Sequence, residues 1–224
     1  MIDTVIYTAV TGDYDWPSKG GLAPPGIDRV YFTDGLSTRP GWIEQRLPDL
    51  PHLHPRRLAK LPKTYPHLFL RRYRYAVWID GGMEITGPSM VKTLLVMLAG
   101  RTEDQIGLVV SPHFDGRDDA YGEATIRPPK YAEEPLDEQV AFYHEVGFPE
   151  HQGLYEGGVL AWDLHDPGAH EVAAAWTVQN LVFSYQDQVS LPFVLWSLDA
   201  RPVVLDRTFR DKAWVLINAH RRED

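Results

Sequence analysis

The segment Tyr75–Ile79 (YAVWI) restricts the fold of this chain more than any other. Five apolar or aromatic residues in a row, rich in β-branched and aromatic types, predict a strand buried on both faces in the middle of a sheet. Asp80, Gly81 and Gly82 follow directly. Ligands of open α/β sheets bind beyond the carboxyl ends of the strands, where an Asp with two small successors lets a cation or a diphosphate approach the backbone. Taken alone, the segment is explained more simply by a Gly-Gly turn in which Asp80 accepts a hydrogen bond.

The rest of the chain predicts strands that alternate with helices. The predicted strands cover residues 2–10, 29–35, 42–46, 75–79, 106–110, 158–163 and 203–205. The predicted helices cover residues 57–63, 65–72, 89–99, 136–146, 169–185 and 190–198, with interruptions at Pro62 and Pro66. This order predicts an α/β fold with a mainly parallel central sheet flanked by helices. Neither a repeat nor a linker divides the sequence, so we expect a single domain over residues 1–224.

Composition limits the possible partners. The 224 residues include no cysteine, which excludes disulfides and thiolate metal sites, and the formal net charge of −9 argues against a surface that binds nucleic acid throughout. Between Arg56 and Arg74, however, lie seven Lys or Arg residues and no acid, so a local contact with nucleic acid stays open. We find no leader segment and no apolar run long enough to span a bilayer, and we expect a cytoplasmic protein that does not bind membranes.

Polar residues cluster at the ends of the first two predicted strands. A nucleobase needs a carbonyl or carboxylate group to accept its N–H hydrogen bond, and an apolar or aromatic wall to lie against. The residues of these types are Thr8, Ala9, Thr11, Asp13, Tyr14 and Asp34. They predict a nucleoside site, although ordinary turns at Gly12 and Gly35 account for them equally well.

A second cluster is basic. Arg57, Lys60 and Lys63 lie close together on one face of a predicted helix and could point together at a diphosphate. The glycine-rich phosphate-binding fingerprints, G-x-G-x-x-G and the P-loop, are both missing from the sequence. Other groups must therefore hold any nucleotide phosphates, and this segment is the first candidate. A solvated basic face is the alternative.

A third cluster follows the predicted strand at residues 106–110. This loop is so dense in ionisable groups that binding or proton transfer explains it better than a charged surface loop does. Its candidate residues are His113, Arg117, Tyr121 and Glu123.

Two shorter motifs and one histidine complete the candidates. Glu156 and Gly157 precede a predicted strand, and Asp187-Gln188 opens a predicted helix, where the helix dipole alone also favours an acid. His220 could complete a Mn²⁺ site with Asp80, since imidazole and carboxylate can share this metal. A histidine close to the C-terminus is more often a plain surface residue.

In this order the clusters resemble the glycosyltransferase-like proteins related to plant mucilage and pectin biosynthesis factors. The matching segments are residues 7–15 (YTAVTGDYD), 32–34 (FTD), 56–63 (RRLAKLPK) with Pro66-His67, 78–81 (WIDG), Arg117-Asp118 with Tyr121 and Glu123-Ala124, 153–158 (GLYEGG), and Asp187-Gln188 with Ser190. They extend from the first predicted strand to residue 190, so the resemblance covers most of the chain. The ordered set is more specific than any single motif.

The resemblance implies the GT-A fold of nucleotide-sugar transferases. In that fold a D-x-D motif at a strand end holds a divalent cation, here expected to be Mn²⁺ or Mg²⁺, and the donor diphosphate. Asp80 stands at the first acid of the motif, but Gly82 occupies the position of the second, and Glu84 is the other nearby acid. The motif is therefore incomplete. Asp187-Gln188 is similar to a helix-start Asp-Gln pair that lies beside the donor sugar in retaining galactosyltransferases.

The expected function is transfer of a sugar from a nucleoside diphosphate sugar such as a UDP-sugar, and the resemblance of Asp187-Gln188 to the retaining enzymes favours retention of configuration. The acceptor would be a hydroxyl group of a glycan, a small molecule, a protein or a modified nucleobase. Asp80 and the basic segment would stabilise the departing diphosphate. The oxocarbenium-like transition state needs nearby carboxylates, and the candidate catalytic residues are Glu156, Asp187 and Gln188. The residues expected to shape the sugar or acceptor pocket are His113, Arg117, Tyr121, Glu123 and Gly157.

Two other classes of protein stay open. A catalytically silent module that binds a nucleotide or a sugar is consistent with the incomplete D-x-D motif, and it would bind ligands without turnover. A metal-dependent hydrolase built on His113, its neighbouring Asp residues and His220 would act on a phosphoester without a sugar donor. The sequence lacks the H-E-x-x-H motif in which metallohydrolases pair two histidines, which counts against the hydrolase.

Overall fold

The computed structural model of the protein describes residues 3–12, 21, 24–36 and 38–218. Its strands are β1 (Thr4–Val10), β2 (Asp28–Thr33), β3 (Ile43–Arg46), β4 (Tyr75–Ile79), β5 (Met83–Ile85), β6 (Gln105–Pro112), β7 (Tyr155–Asp163), β8 (Arg201–Val204) and β9 (Val215–Ile217). Its helices are α1 (Pro55–Thr64), α2 (Pro66–Phe69), α3 (Met90–Ala99), α4 (Ala120–Ala124), α5 (Leu136–Glu145), α6 (Pro167–Val182) and α7 (Asp187–Ser197), and a 3-10 turn covers Pro129–Tyr131. Within these ranges no helix is both long enough and apolar enough to cross a bilayer.

Seven strands form one sheet in the order β3-β2-β1-β4-β7-β6-β8, and β5 pairs with β9 in a separate two-stranded sheet. Strand β7 is antiparallel to both of its neighbours, and the other four pairs of the large sheet are parallel. The predicted α/β fold with a mainly parallel central sheet is confirmed. Strand β4 lies in the middle of this sheet, and its residues from Ala76 to Ile79 are at most 3% exposed.

Helices cover both faces of the large sheet. Tyr7 and Trp78 belong to a core that includes residues of α1, α6 and α7, whereas Ile6 and Val77 belong to a second core with residues of α3. Successive side chains of a strand point to opposite faces, so the unbroken apolar run of β4 contributes to both cores.

Helix α1 continues through Pro62, where the sequence predicted an interruption. A proline in a helix removes one backbone hydrogen bond. Here it lies close to the helix end, and the burial of its neighbours Lys63 and Thr64 keeps the last turn in place. The helix ends at Thr64, and the next residue, Tyr65, precedes Pro66, whose ring disfavours helical geometry in the residue before it.

Because β7 runs in the reverse direction, its first residues lie at the edge of the sheet where the parallel strands end. Glu156 pairs with Ser111 of β6, and the amide nitrogen of Asp80 donates a hydrogen bond of 3.0 Å to the carbonyl oxygen of Gly158. The start of β7 therefore lies between the carboxyl ends of β4 and β6. The small β5–β9 sheet, which the sequence did not predict, borders the same edge, because the Asn218 amide nitrogen donates to the Gly82 carbonyl oxygen at 2.9 Å.

Candidate active site

A cavity of about 320 Å³ opens at the carboxyl ends of β1, β4 and β6. Its walls come from α1, the turn after β4, the first residues of β7 and the start of α7. Residues 208–210 follow β8 and contribute Phe209 and Arg210, while Ile217 and Asn218 come from the end of the described chain. The cavity lies where ligands of open α/β sheets bind.

Asp80 is held in place by its neighbours and still faces the cavity. Its Oδ1 atom accepts hydrogen bonds from Trp78 Nε1 at 2.8 Å and from Lys63 Nζ at 3.1 Å. Its side chain is 43% exposed, and a backbone hydrogen bond of 2.9 Å from Met83 to Asp80 closes the turn over Gly81 and Gly82. Gly81 lines the cavity as well.

Two lysines of α1 meet the carboxylate of Asp187 at the first turn of α7. Lys60 Nζ lies 2.8 Å from Asp187 Oδ2, and Lys63 Nζ contacts the same oxygen. Burial alone would raise the pKa of the Asp187 carboxyl, but Lys60 and Lys63 more than offset it and hold this pKa well below its usual range. The pKa of Lys60 is raised, because Asp187 and Asp80 outweigh the opposing effect of burial. Asp187 is therefore an ionised carboxylate and a poor proton acceptor.

Glu156 lines the cavity at the start of β7, where its carboxylate is fixed. The residue is 3% exposed, and both carboxylate oxygens are bonded: Oε1 accepts from Arg210 Nε at 2.5 Å, and Oε2 accepts from the Thr208 hydroxyl. The Arg210 guanidinium also lies over the ring of Phe114, 4.7 Å from its centre. Glu156 thus has a defined orientation at the end of the cavity that the loops after β6 and β8 line.

Positive charge predominates in the cavity. The basic lining residues are Arg56, Lys60, Lys63, Lys130 and Arg210, and the acidic ones are Asp80, Glu156 and Asp187. Burial, and then repulsion from Lys60 and Arg56, lowers the pKa of Lys130. A protein with a net charge of −9 thus concentrates cations at one site, which favours an anionic ligand.

Arg57 does not line this cavity, contrary to the prediction that it joins Lys60 and Lys63. Its guanidinium donates to the carbonyl oxygens of Asn180 and Phe183, the latter at 2.6 Å, and to Glu134 Oε2 at 2.7 Å. It therefore binds the C-terminal end of α6. Arg56 takes the expected place, because residues 56, 60 and 63 have the i, i+4, i+7 spacing of one helical face.

Sequence reasoning did not select Arg56 or Lys130 as site residues. For Arg56 the helical spacing was a usable signal. Lys130 offered none, because it reaches the cavity from the 3-10 turn at Pro129–Tyr131, remote in sequence from the other lining residues.

The residues predicted for the nucleoside are only partly brought together. Ala9 and Thr11 line the cavity. Thr8 is fully buried within β1 and does not line it. Asp34 accepts hydrogen bonds from the amide nitrogens of Gly12, at 2.6 Å, and Leu36, at 3.1 Å, and so holds the loop after β1 instead of lining the cavity. Asp13 and Tyr14 lie outside the described residues.

His113 lines the cavity, and a hydrogen-bonded network behind it reaches α7. Its Nδ1 lies 2.5 Å from Asp115 Oδ1, and its Nε2 lies 3.3 Å from Arg117 Nη2. Arg117 pairs with Glu123, whose Oε1 accepts from Gln186 Nε2 at 2.8 Å. Arg117 and Glu123 therefore lie outside the cavity lining and support it from behind.

Tyr121 is also placed outside the cavity. Its hydroxyl donates to the Phe148 carbonyl oxygen at 2.7 Å, and its ring stacks on His144. Gly157 and Gln188, in contrast, both line the cavity next to Asp187.

The described residues do not fit a divalent-cation site. They contain no group of three His, Asp or Glu side chains placed to bind a metal. The position of the second D-x-D acid is Gly82, and an ammonium group already lies against Asp80. His220, the predicted second ligand, lies outside the described residues.

Two solved structures with a similar fold are sugar transferases. The apo structure of the bifunctional glycosyltransferase WbbM superposes with a TM-score of 0.51 and 12% identity, over 91% of this chain and 38% of that chain. Apo mouse xyloside xylosyltransferase 1 superposes with a TM-score of 0.51 and 10% identity, over 91% of this chain and 84% of that chain. This chain thus spans well under half of the length of WbbM. At these identities the likeness concerns the fold, which is the GT-A-like fold of nucleotide-sugar transferases.

Among curated proteins, none matches the sequence significantly. Residues 42–218, well over half of the chain, match the TOD1/MUCI70 glycosyltransferase-like domain. The chain belongs to this family. The resemblance found in the sequence is thereby confirmed, as is the GT-A-like fold that it implied.

Proposed function

We propose that this protein transfers a sugar from a nucleoside diphosphate sugar to a hydroxyl group of an acceptor. The observation that carries the proposal is the cationic cavity at the carboxyl ends of the strands, in which α1 presents Arg56, Lys60 and Lys63 opposite Asp80 and Asp187. The family match and the GT-A-like fold support the same class of reaction.

The cationic wall suits the leaving group of this reaction. As the bond between the anomeric carbon and the phosphate oxygen breaks, negative charge develops on the departing diphosphate. Arg56 and Lys130 lie at the same wall as Lys60, and preorganised cations of this kind stabilise a leaving phosphate more than they stabilise the bound donor. Burial is the main cause of the lowered pKa of Lys130, and repulsion from Lys60 and Arg56 adds to it; a bound diphosphate would counterbalance that repulsion.

The two buried carboxylates have different chemistry. Glycosyl transfer passes through a state with positive charge on the sugar ring. Asp187 remains ionised because its pKa is lowered, so it suits the stabilisation of that charge and not proton transfer. Glu156 is bonded to Thr208 and Arg210 at the end of the cavity that the loops after β6 and β8 line, and we assign it to the acceptor. His113 and the exposed ring of Phe114 border that same end.

The test is a search for the donor with two matched variants. Purified protein is incubated with a panel of UDP-, GDP- and ADP-sugars and candidate hydroxyl acceptors, and the released nucleoside diphosphate is measured. We expect one donor to be consumed, with a rate at least about a hundredfold lower in Asp187→Asn, because an ionised group that stabilises the transition state contributes energies of this order. Asp199→Asn is the control, since Asp199 is exposed, lies away from the cavity and has a φ of 47°, which asparagine also tolerates.

Other outcomes point to other classes of protein. Binding of a nucleotide sugar without turnover for any acceptor would identify a silent binding module. Hydrolysis of a phosphoester in the absence of a sugar donor would identify a hydrolase and contradict the proposal.

A further inference from the structure

We propose, resting on the function proposed above, that the ammonium group of Lys63 takes the place of a divalent cation beside Asp80, so that the donor diphosphate binds without a metal. The GT-A-like fold implies a D-x-D site for such a cation, but the residues that the structure describes do not fit one. A buried lysine lies at that position.

Lys63 is built into the site. Its side chain is 1% exposed, and its Nζ contacts both Asp80 Oδ1, at 3.1 Å, and Asp187 Oδ2. Trp78 donates to the same Asp80 oxygen and places its ring 5.6 Å from the Lys63 ammonium. Two carboxylates and an aromatic ring thus surround the buried Lys63 side chain, an arrangement that fixes the position of its Nζ atom.

The arrangement disfavours a metal ion at Asp80. A divalent cation bound to this carboxylate would lie within a few ångströms of the Lys63 ammonium, and the two positive charges would repel each other. The second acid of the motif is replaced by Gly82, which removes the carboxylate that would offset the added charge. The Lys63 ammonium group is part of the chain and cannot dissociate. Its charge therefore lowers the affinity of Asp80 for a divalent cation.

The wall also supplies charge for the diphosphate without a metal. Lys60 and Lys63 are balanced by Asp187 and Asp80, which leaves the cavity lining with an excess of basic over acidic side chains. Lys130 contributes to this excess, since it has no ion-pair partner in the part of the chain that the structure describes. These side chains can contact the phosphate oxygens directly.

The experiment measures binding of UDP and GDP by isothermal titration calorimetry, once in EDTA and once in millimolar Mn²⁺. For the best binder we expect dissociation constants that agree within about twofold in the two buffers. Binding that is about tenfold or more tighter with Mn²⁺ overturns this inference and leaves the proposed function intact. If neither nucleotide binds in either buffer, and no member of the UDP-, GDP- and ADP-sugar panel binds either, the proposed function fails and this inference fails with it.

Two further measurements test whether Lys63 itself, and not the loss of any one positive charge, determines nucleotide binding. In EDTA, Lys63→Met should weaken nucleotide binding about tenfold or more, whereas Lys92→Met, at an exposed position of α3, should leave it unchanged. Because Lys63→Met could fail to fold, the wild-type protein is also titrated with Mn²⁺ alone and the free ion is followed by electron paramagnetic resonance. No site of better than about millimolar affinity is expected, and a stoichiometric site that disappears in Asp80→Asn contradicts the inference.

Discussion

Gly157 faces the ammonium group of Lys63 so closely that a Cβ atom on residue 157 would lie 2.7 Å from Nζ. The same Cβ atom would lie 3.0 Å from Asp187 Oδ2. Real Cβ atoms essentially never approach other heavy atoms within 3.0 Å, so any side chain here would displace the lysine. The glycine therefore makes room for the buried ion pair. Its missing Cβ atom provides this room, and its backbone conformation is not an unusual one.

The first prediction concerns this glycine. Gly157→Ala should push the Lys63 ammonium away from Asp187 and Asp80 and weaken nucleoside diphosphate binding about tenfold or more. Calorimetry measures the binding, and circular dichroism checks that the fold is kept. Gly122→Ala is the control, because a Cβ atom there meets nothing closer than 3.7 Å, an ordinary contact. Equal affinity in the two variants would show that the ion pair does not position the ligand.

The second prediction separates two neighbouring arginines. Arg57 holds the end of α6 through hydrogen bonds to Asn180, Phe183 and Glu134, so Arg57→Met should lower the free energy of unfolding by about 2 kcal/mol. Arg56 lines the cavity, so Arg56→Met should weaken nucleoside diphosphate binding with a smaller change in stability. Urea denaturation and calorimetry on both variants check this. The assignment is wrong if Arg57→Met, and not Arg56→Met, is the variant with the specific binding defect.

The third prediction concerns Lys130, which burial, Lys60 and Arg56 together hold at a lowered pKa. A diphosphate that binds nearby offsets this repulsion, so Lys130→Met should weaken nucleoside diphosphate binding about tenfold and make the affinity less sensitive to salt. Titrations at several NaCl concentrations give both quantities. Lys92→Met, at the exposed position of α3, should keep the wild-type affinity and salt dependence.

The local sequence pattern was sufficient to predict the positions of the residues at the centre of this site. The apolar run of β4 fixed Asp80 at a strand end, and helical spacing placed Lys60 and Lys63 together on α1. These features depend on residues close in sequence, whose periodicity sets which face they occupy. Local pattern does not show which face of α1 points to the cavity. Arg57 lies on the face toward α6 together with Thr64, whose hydroxyl oxygen lies 2.6 Å from that of Thr177. Only the packing of α6 decides which basic residue is left to face the cavity.

The other half of the site depends on contacts that are remote in sequence. Glu156 reaches the edge of the sheet because β7 runs antiparallel between β4 and β6, and strand direction follows from pairing and not from composition. Thr208 and Arg210, which orient Glu156, come from a loop 52 and 54 residues further along the chain. Arg117 and Glu123 belong to the charged loop that the sequence predicts to serve binding or proton transfer. Their side chains turn behind the cavity, because Gln186 and Asp115 offer them partners there.

The last prediction uses the pKa of Asp187, which Lys60 and Lys63 hold below its usual range against the opposing effect of burial. A carboxyl whose pKa is lower in the folded than in the unfolded chain contributes stability above the unfolded value of about 3.9, and this contribution disappears as the pH falls below it. Asp187→Asn should therefore destabilise the protein by about 3 kcal/mol at neutral pH, since it leaves two lysines without their shared partner. The difference from wild type should stay constant from about pH 7 to pH 5 and shrink below about pH 4, as urea denaturation at each pH would show. Asp199→Asn, at an exposed position, should differ little from wild type at any pH, and a gap for Asp187→Asn that widened in acid would contradict the assigned ion pairs.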